Sequence, residues 1–208
     1  DGAVHALPHN DDDALAHRLY VGKLCLDVLG TTVDAVFTSE DYGDGFAGEL
    51  SRYFSSRRGG EECPVAHVLV DKARIAVPVS GTKIRSDPHA LRAFMAGEVY
   101  ASFVLTACFV GGESSGKSTM AQAMAERYET LWAPEYGREL WVEQGGVLAY
   151  DDMVRIATVQ QEREDSLRRQ ASRFLFCDTS ALTTLFYSHE MFGKAQPQLE
   201  RMAGRRYD

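Results

Sequence analysis

The chain has 208 residues, 45% of them hydrophobic and 25% charged, a balance that excludes wholesale disorder and allows one large domain or two small ones. Its formal net charge of −8 argues against a general nucleic-acid binder, because a phosphate backbone calls for a basic face. The longest apolar run, Phe103 to Gly112, is about half the roughly 20 residues that span a bilayer, so no membrane partner is expected.

Residues 1–13 are polar and acidic, and Asp11-Asp12-Asp13 leads into a helix N-cap. Leu15, Leu19, Leu26 and Leu29 recur at helical spacing, which predicts a helix from Ala14 to Leu29 closed by Gly30. A short strand at Val33–Thr38 follows, then a Gly/Asp-rich turn and a helix at Phe46–Phe54. Arg57–Glu62 reads as a loop and Val65–Val70 as a second strand. A helix is expected from about Lys83 to Ala96, and Gly97–Ser102 is the expected linker, giving domains at 1–97 and 102–208. Phe103–Val110 is a near-continuous apolar run, typical of a strand covered on both faces of a parallel sheet. Then come a helix at Lys117–Tyr128, a strand at Leu131–Ala133, and a helix at Glu135–Gln144 ending on two glycines. A long helix capped by Asp151 reaches about Ala171, and a strand at Phe174–Cys177 runs directly into Asp178. Strands alternating with helices in both halves predict α/β architecture twice. The four cysteines form no C-x-x-C pair and read as free thiols in a reducing compartment, so a cytoplasmic location is expected.

Gly111-Gly112-Glu113-Ser114-Ser115-Gly116-Lys117-Ser118 fits G-x-x-x-x-G-K-[ST], between a buried strand and a helix. The glycines let backbone N–H groups converge on phosphate oxygens, and the new helix adds its N-terminal partial charge. Lys117 then serves the β- and γ-phosphates, and Ser118 offers a hydroxyl to Mg²⁺. Asp178 sits where open α/β sheets bind ligands; it can hold Mg²⁺, accept a hydroxyl proton, or simply cap the following helix. Glu135, Tyr136 and Arg138 stand at another strand end, where they could hold a sugar and a ring or form a solvated first turn. Ser80, Gly81, Thr82, Lys83 and Arg85 gather hydroxyls and basic groups at a strand-to-helix turn, either a second anion site or a capped helix. Arg85 would occupy the first turn, where the helix dipole disfavours a cation.

S-x-T-x-x-R over Ser80–Arg85 resembles the phosphate-binding motif of nucleotidylyltransferases. Together with Val36–Gly43, the GGESSGKST loop and Trp132-Ala133-Pro134-Glu135-Tyr136-Gly137-Arg138-Glu139, the order of motifs resembles the NadR-type family, which joins a nicotinamide mononucleotide adenylyltransferase to a ribosylnicotinamide kinase. The resemblance runs from about Ala14 to the end. It implies a Rossmann-like nucleotidylyltransferase unit followed by a P-loop kinase unit, with ATP and Mg²⁺ as cofactors. Nicotinamide riboside and nicotinamide mononucleotide would be the substrates, and self-association is left open. Gly111 to Thr119 would cradle the kinase ATP, with Lys117 on its phosphates and Ser118 and Asp178 serving the metal. Asp178 or Glu135 would orient or deprotonate the riboside hydroxyl, and Tyr136 and Arg138 would help bind it. Ser80, Gly81, Thr82, Lys83 and Arg85 would neutralise the transferase ATP.

The chain departs from the family at its start. No G-x-F-x-P-x-H-x-G-H segment is present, and His5 and His9 do not reproduce it or make a convincing metal pair. Further sequence on both sides is expected, including an Arg-bearing lid downstream. The competing functions are another P-loop small-molecule or nucleoside kinase, and a nucleotide-sensing regulator, which the acidic balance disfavours.

Overall fold

The structure, a computed structural model, describes residues 8–9 and 12–208; His5 and Asp11 lie outside them. The chain forms two compact units, Asp1–Val79 and Ser80–Asp208. Both are α/β with parallel sheets.

In the first unit, Asp13 caps α1 (Ala14–Lys23), its carboxylate accepting from the Ala16 N–H at 2.8 Å. The expected helix to Leu29 continues as a π turn over Leu24–Val28. Gly22 and Cys25 face inward and Leu26 packs on the core, while Leu15 and, beyond the wider turn, Leu29 are exposed. Strands β1 (Ala35–Thr38) and β2 (Ala66–Leu69) pair in parallel, Ala35 opposite Ala66 and Thr38 opposite Leu69. Between them α2 (Gly43–Arg57) buries Ala47, Leu50 and Phe54 against Val36, Val65 and Cys25. The turn into α2 is set by His67, held between Thr38 Oγ1 and Asp44 Oδ1, each at 2.8 Å. A Cβ on Gly43 would lie 2.0 Å from His67 Nε2. Gly43→Ala must therefore expel His67 and break both bonds. The expected cost is about 1–3 kcal/mol, the usual range for overpacking, read as a fall of several degrees in melting temperature.

The second unit opens with α3 (Gly81–Ser86), far shorter than the helix expected from Lys83 to Ala96. Pro88 explains the stop. It excludes helical geometry at the preceding residue, and Asp87 sits at φ −149°, ψ 79°. Only a 3₁₀ turn at Arg92–Phe94 follows. The expected linker at Gly97–Ser102 is instead α4 (Gly97–Ala101) and a turn, and the compact units part upstream of it, after Val79. Tyr100 of α4 is a core residue of this unit, its hydroxyl hydrogen-bonded to His89 Nδ1 and accepting from the Arg173 N–H.

Three parallel strands follow in the spatial order β3 (Leu105–Phe109), β5 (Phe174–Asp178), β4 (Leu131–Ala133). The expectation that the first is covered on both faces fails at Leu105, which is 49% exposed. Its position at the sheet edge is the reason; the central β5 is buried from Leu175 to Asp178. Along β5 the side chains alternate. Leu175 and Cys177 pack with Tyr100, Val104 and Ala133, while Phe176 and Phe174 pack beneath α5 (Lys117–Arg127) on Ala121 and Ala125. Helices α6 (Tyr136–Glu143), α7 (Asp152–Arg168), α8 (Ala181–Phe192) and α9 (Pro197–Ala203) share a further core of Leu140, Met153, Ile156, Ala157, Ala181 and Leu199. Among the described residues, no helix is long and apolar enough to cross a membrane.

Candidate functional site

Parallel strands send all their carboxyl ends to one edge of the sheet, and the glycine-rich loop, Glu135 and Asp178 emerge there. β3 runs into Gly111–Ser118, β4 into Pro134-Glu135, and β5 ends on Asp178, whose register partner is Phe109 at the end of β3.

The glycine-rich loop has the backbone its sequence requires. Gly116 adopts φ +88° just before α5, a left-handed value natural to glycine. Ser114 adopts φ +56°, and Ser115 Oγ donates to the Gly112 carbonyl at 2.8 Å. Lys117 Nζ donates to the same carbonyl at 2.8 Å, so the ammonium lies over the loop. No side chain caps α5, which leaves its first N–H groups directed at the space the loop encloses. Gly111, Gly112, Glu113, Ser114, Ser115, Gly116 and Thr119 are exposed; Lys117 and Ser118 are half-buried.

Asp178 is 2% exposed, and its Oδ1 has no hydrogen-bond partner. The capping alternative does not apply, since Ser180 is the N-cap residue of α8. The neighbouring Thr179 adopts φ +73°, and its hydroxyl is likewise buried and unpartnered. A buried carboxylate oxygen without a donor is costly, and a cation resolves it. Asp178 and Ser118 thus present the hard oxygen donors that Mg²⁺ takes. Among the described residues no group of three or more His, Cys, Asp or Glu side chains is arranged for a metal, so such an ion would need ligands beyond protein carboxylates.

Glu135 is the N-cap residue of α6 but caps nothing. Arg138 lies 3.5 Å from its Oε2. Burial raises the Glu135 carboxyl above its ordinary value and the Asp178 charge adds to this; Arg138 and Lys117 pull the other way. These charges place Glu135, Arg138, Lys117 and Asp178 in one electrostatic neighbourhood. The Tyr136 ring lies under the Arg163 guanidinium at 5.5 Å. Tyr187 of α8 belongs to the same neighbourhood and was not foreseen from sequence. Its phenol is raised by burial and by the charges of Glu113 and Glu135. Position on a mid-helix face was its only signal.

Ser80, Gly81, Thr82, Lys83 and Arg85 lie on and beside α3 and, apart from half-buried Ser80, are exposed. Ser80 Oγ accepts from the Lys83 N–H at 3.3 Å, and the Arg85 guanidinium folds back to within 3.2 Å of where a Gly81 Cβ would stand. Because α3 is so short, Arg85 falls in its last turn, where the dipole favours a cation. The expected dipole conflict is therefore absent.

Residues 106–208 match the family described as an AAA domain. The chain is 30% identical over 177 residues to the trifunctional NAD biosynthesis/regulator protein NadR of Escherichia coli (strain K12), covering 83% of this chain and 40% of that protein. It is 33% identical over 146 residues to the protein of the same name from Salmonella typhimurium, covering 68% of this chain and 36% of that protein. A crystal structure of NadR in complex with NR superposes with a TM-score of 0.60 at 20% identity, covering 98% of this chain and 57% of that one. Another, of NadR with NAD and AMP-PNP, gives 0.56 at 19%, covering 97% and 59%. The chain thus spans less than half the length of the curated relatives it matches. Sequence similarity over most of the chain, and a fold shared along nearly all of it, make this a NadR-type protein.

Proposed function

We propose that the second unit phosphorylates nicotinamide riboside with ATP. The observation that carries the reading is the convergence of three groups on one sheet edge: a P-loop, a buried carboxylate oxygen without a donor, and a carboxyl raised by burial. A related NadR structure bound to NR supports the substrate class.

In this reading the loop amides of Gly111 to Thr119 and the Lys117 ammonium hold the ATP phosphates. Ser118 and Asp178 would hold Mg²⁺, which would neutralise phosphate charge there. The riboside 5′-hydroxyl attacks the γ-phosphorus, the bond to the β-phosphate oxygen breaks, and ADP and the mononucleotide form. Glu135 accepts the hydroxyl proton, since a carboxyl with a raised pKa is the better base near neutrality. Arg138 orients that carboxylate and the sugar. Little covalent work falls to the protein, so positioning and electrostatics dominate. The test offers radiolabelled ATP and the intact protein nicotinamide riboside, deoxynucleosides and shikimate in parallel. Preference for either of the latter would replace this reading with another P-loop kinase.

The resemblance of Val36–Gly43 and Ser80–Arg85 to nucleotidylyltransferases supports a second reaction in the intact protein. There the mononucleotide phosphate attacks the α-phosphorus of ATP and releases pyrophosphate. Ser80, Gly81, Thr82, Lys83 and Arg85 would neutralise the triphosphate. Arg85→Ala should then slow adenylyl transfer roughly ten- to a thousandfold, the effect of removing one charge-stabilising donor. Because Arg85 is exposed, melting temperature and riboside phosphorylation should barely move. An unchanged transfer rate would reduce Ser80–Arg85 to a capped helix.

A further inference from the structure

We propose that Gln160 and Arg163 of α7 are positioning residues that hold Glu135 toward the riboside hydroxyl; the proposal rests on the role given to Glu135 above. Glu135 lies in a segment, Pro134–Glu139, that α7 grips at several points. Ile156, Gln160 and Arg163 are spaced at helical i, i+4 and i+7 and so share one face of α7. Gln160 is 2% exposed, and its Oε1 accepts the Tyr136 N–H at 3.0 Å. Tyr136 is the first residue of α6, so its N–H has no partner within the helix. Gln160 supplies one from outside, so the Glu135 side chain is left facing Arg138.

Arg163 completes the grip. Its guanidinium donates to the Pro134 carbonyl at 2.9 Å and, through two nitrogens, to both Glu139 oxygens at 2.6 and 2.7 Å. It also covers the Tyr136 ring. Between these points, a Cβ on Gly137 would meet Ile156 at 3.3 Å, which sets how closely the two elements approach. Glu135 therefore has fixed backbone on both sides, at Pro134 and at Tyr136. Gln160 is itself fixed. Its Nε2 donates to Glu164 Oε1 at 3.3 Å, and the fully buried Glu164 carboxylate accepts from Tyr207 and lies 3.4 Å from Arg205. With both its amide groups engaged, Gln160 has one orientation, and that orientation presents an acceptor to Tyr136. A hydroxyl misplaced by an ångström costs orders of magnitude in rate, so such a grip acts on turnover more than on nucleotide binding.

The experiment is a double-mutant cycle in the intact protein, with Gln160→Met, Glu135→Gln and the pair, assayed by phosphorylation of nicotinamide riboside. The expected result is a tenfold or larger fall in kcat for Gln160→Met, with KM for ATP within twofold. That fall should vanish when Glu135 is already glutamine. Arg163→Gln, at a half-exposed position, should show the same pattern and keeps the proposal falsifiable if Gln160→Met does not fold. A loss of equal size in both backgrounds would overturn the positioning role, since the residues would then act through general stability. A Glu135→Gln protein as active as the parent would instead overturn the role of Glu135, and the positioning role with it.

Discussion

Lys117→Ala should lower phosphorylation of nicotinamide riboside by roughly a thousandfold and leave adenylyl transfer by the intact protein largely in place. Removing one preorganised donor from a developing charge typically costs 10²–10³ in rate, and Lys117 has a second task. Its ammonium ties to the Gly112 carbonyl across the loop, so alanine also releases the backbone that would wrap the phosphates. Neither task bears on the core, because the loop itself is exposed. The melting temperature should therefore stay within a degree or two of the parent. Steady-state rates for both reactions, with a thermal melt on the same preparation, make the check. A folded variant that had lost both activities would mean one ATP site serves both reactions.

Asp178→Asn should act on rate and stability in opposite directions. The rate of riboside phosphorylation should fall on the order of 10²–10³, as expected when a carboxylate serving the nucleotide's metal is neutralised. The unliganded protein should become more stable. Asp178 Oδ1 is buried without a donor, and a charged oxygen in that position costs more than an amide one. Repulsion with Glu135 disappears as well. The gain should be about 1–3 kcal/mol, the scale of one unsatisfied buried polar group, or several degrees in a melt. Mg²⁺ with ATP should raise the parent's melting temperature and have far less effect on the variant. A variant that melted lower yet kept its rate would make Asp178 a structural residue.

The features legible in the sequence are those whose geometry is local. The P-loop could be read because its glycines, lysine and serine act within one turn of backbone, and Gly116 takes the positive φ its place demands. Asp178 could be placed at a strand end, but not seen to be orphaned; that depends on which groups the neighbouring strand and helix bring. Tyr187, Gln160 and Arg163 were invisible for a related reason. Each reaches the site from the middle of a long helix, and only packing decides which face turns inward. The length of α3 is different, because Pro88 stood in plain view and outweighs any helical periodicity around it. The π turn after α1 had no comparable local mark, and at its end Leu29 of the leucine stripe is exposed while Leu26 still packs on the core.

Cys108 and Cys177 are register partners on β3 and β5, the strands that carry the P-loop and Asp178. Burial pushes the Cys108 thiol up to about 11 and raises that of Cys177 as well. The Cys108 thiol also lies 3.1 Å from the Thr179 carbonyl oxygen. Thiolate, not thiol, attacks alkylating reagents, so both sulfurs react slowly at neutral pH, and Cys177, which has no exposed surface, is shielded from the reagent as well while the sheet is closed. Modification at Cys177 thus counts openings of the sheet rather than encounters with the reagent. The strands that present the phosphate loop carry their own clock for how often that platform comes apart, and ligands that clamp the loop slow the clock by the free energy with which they bind.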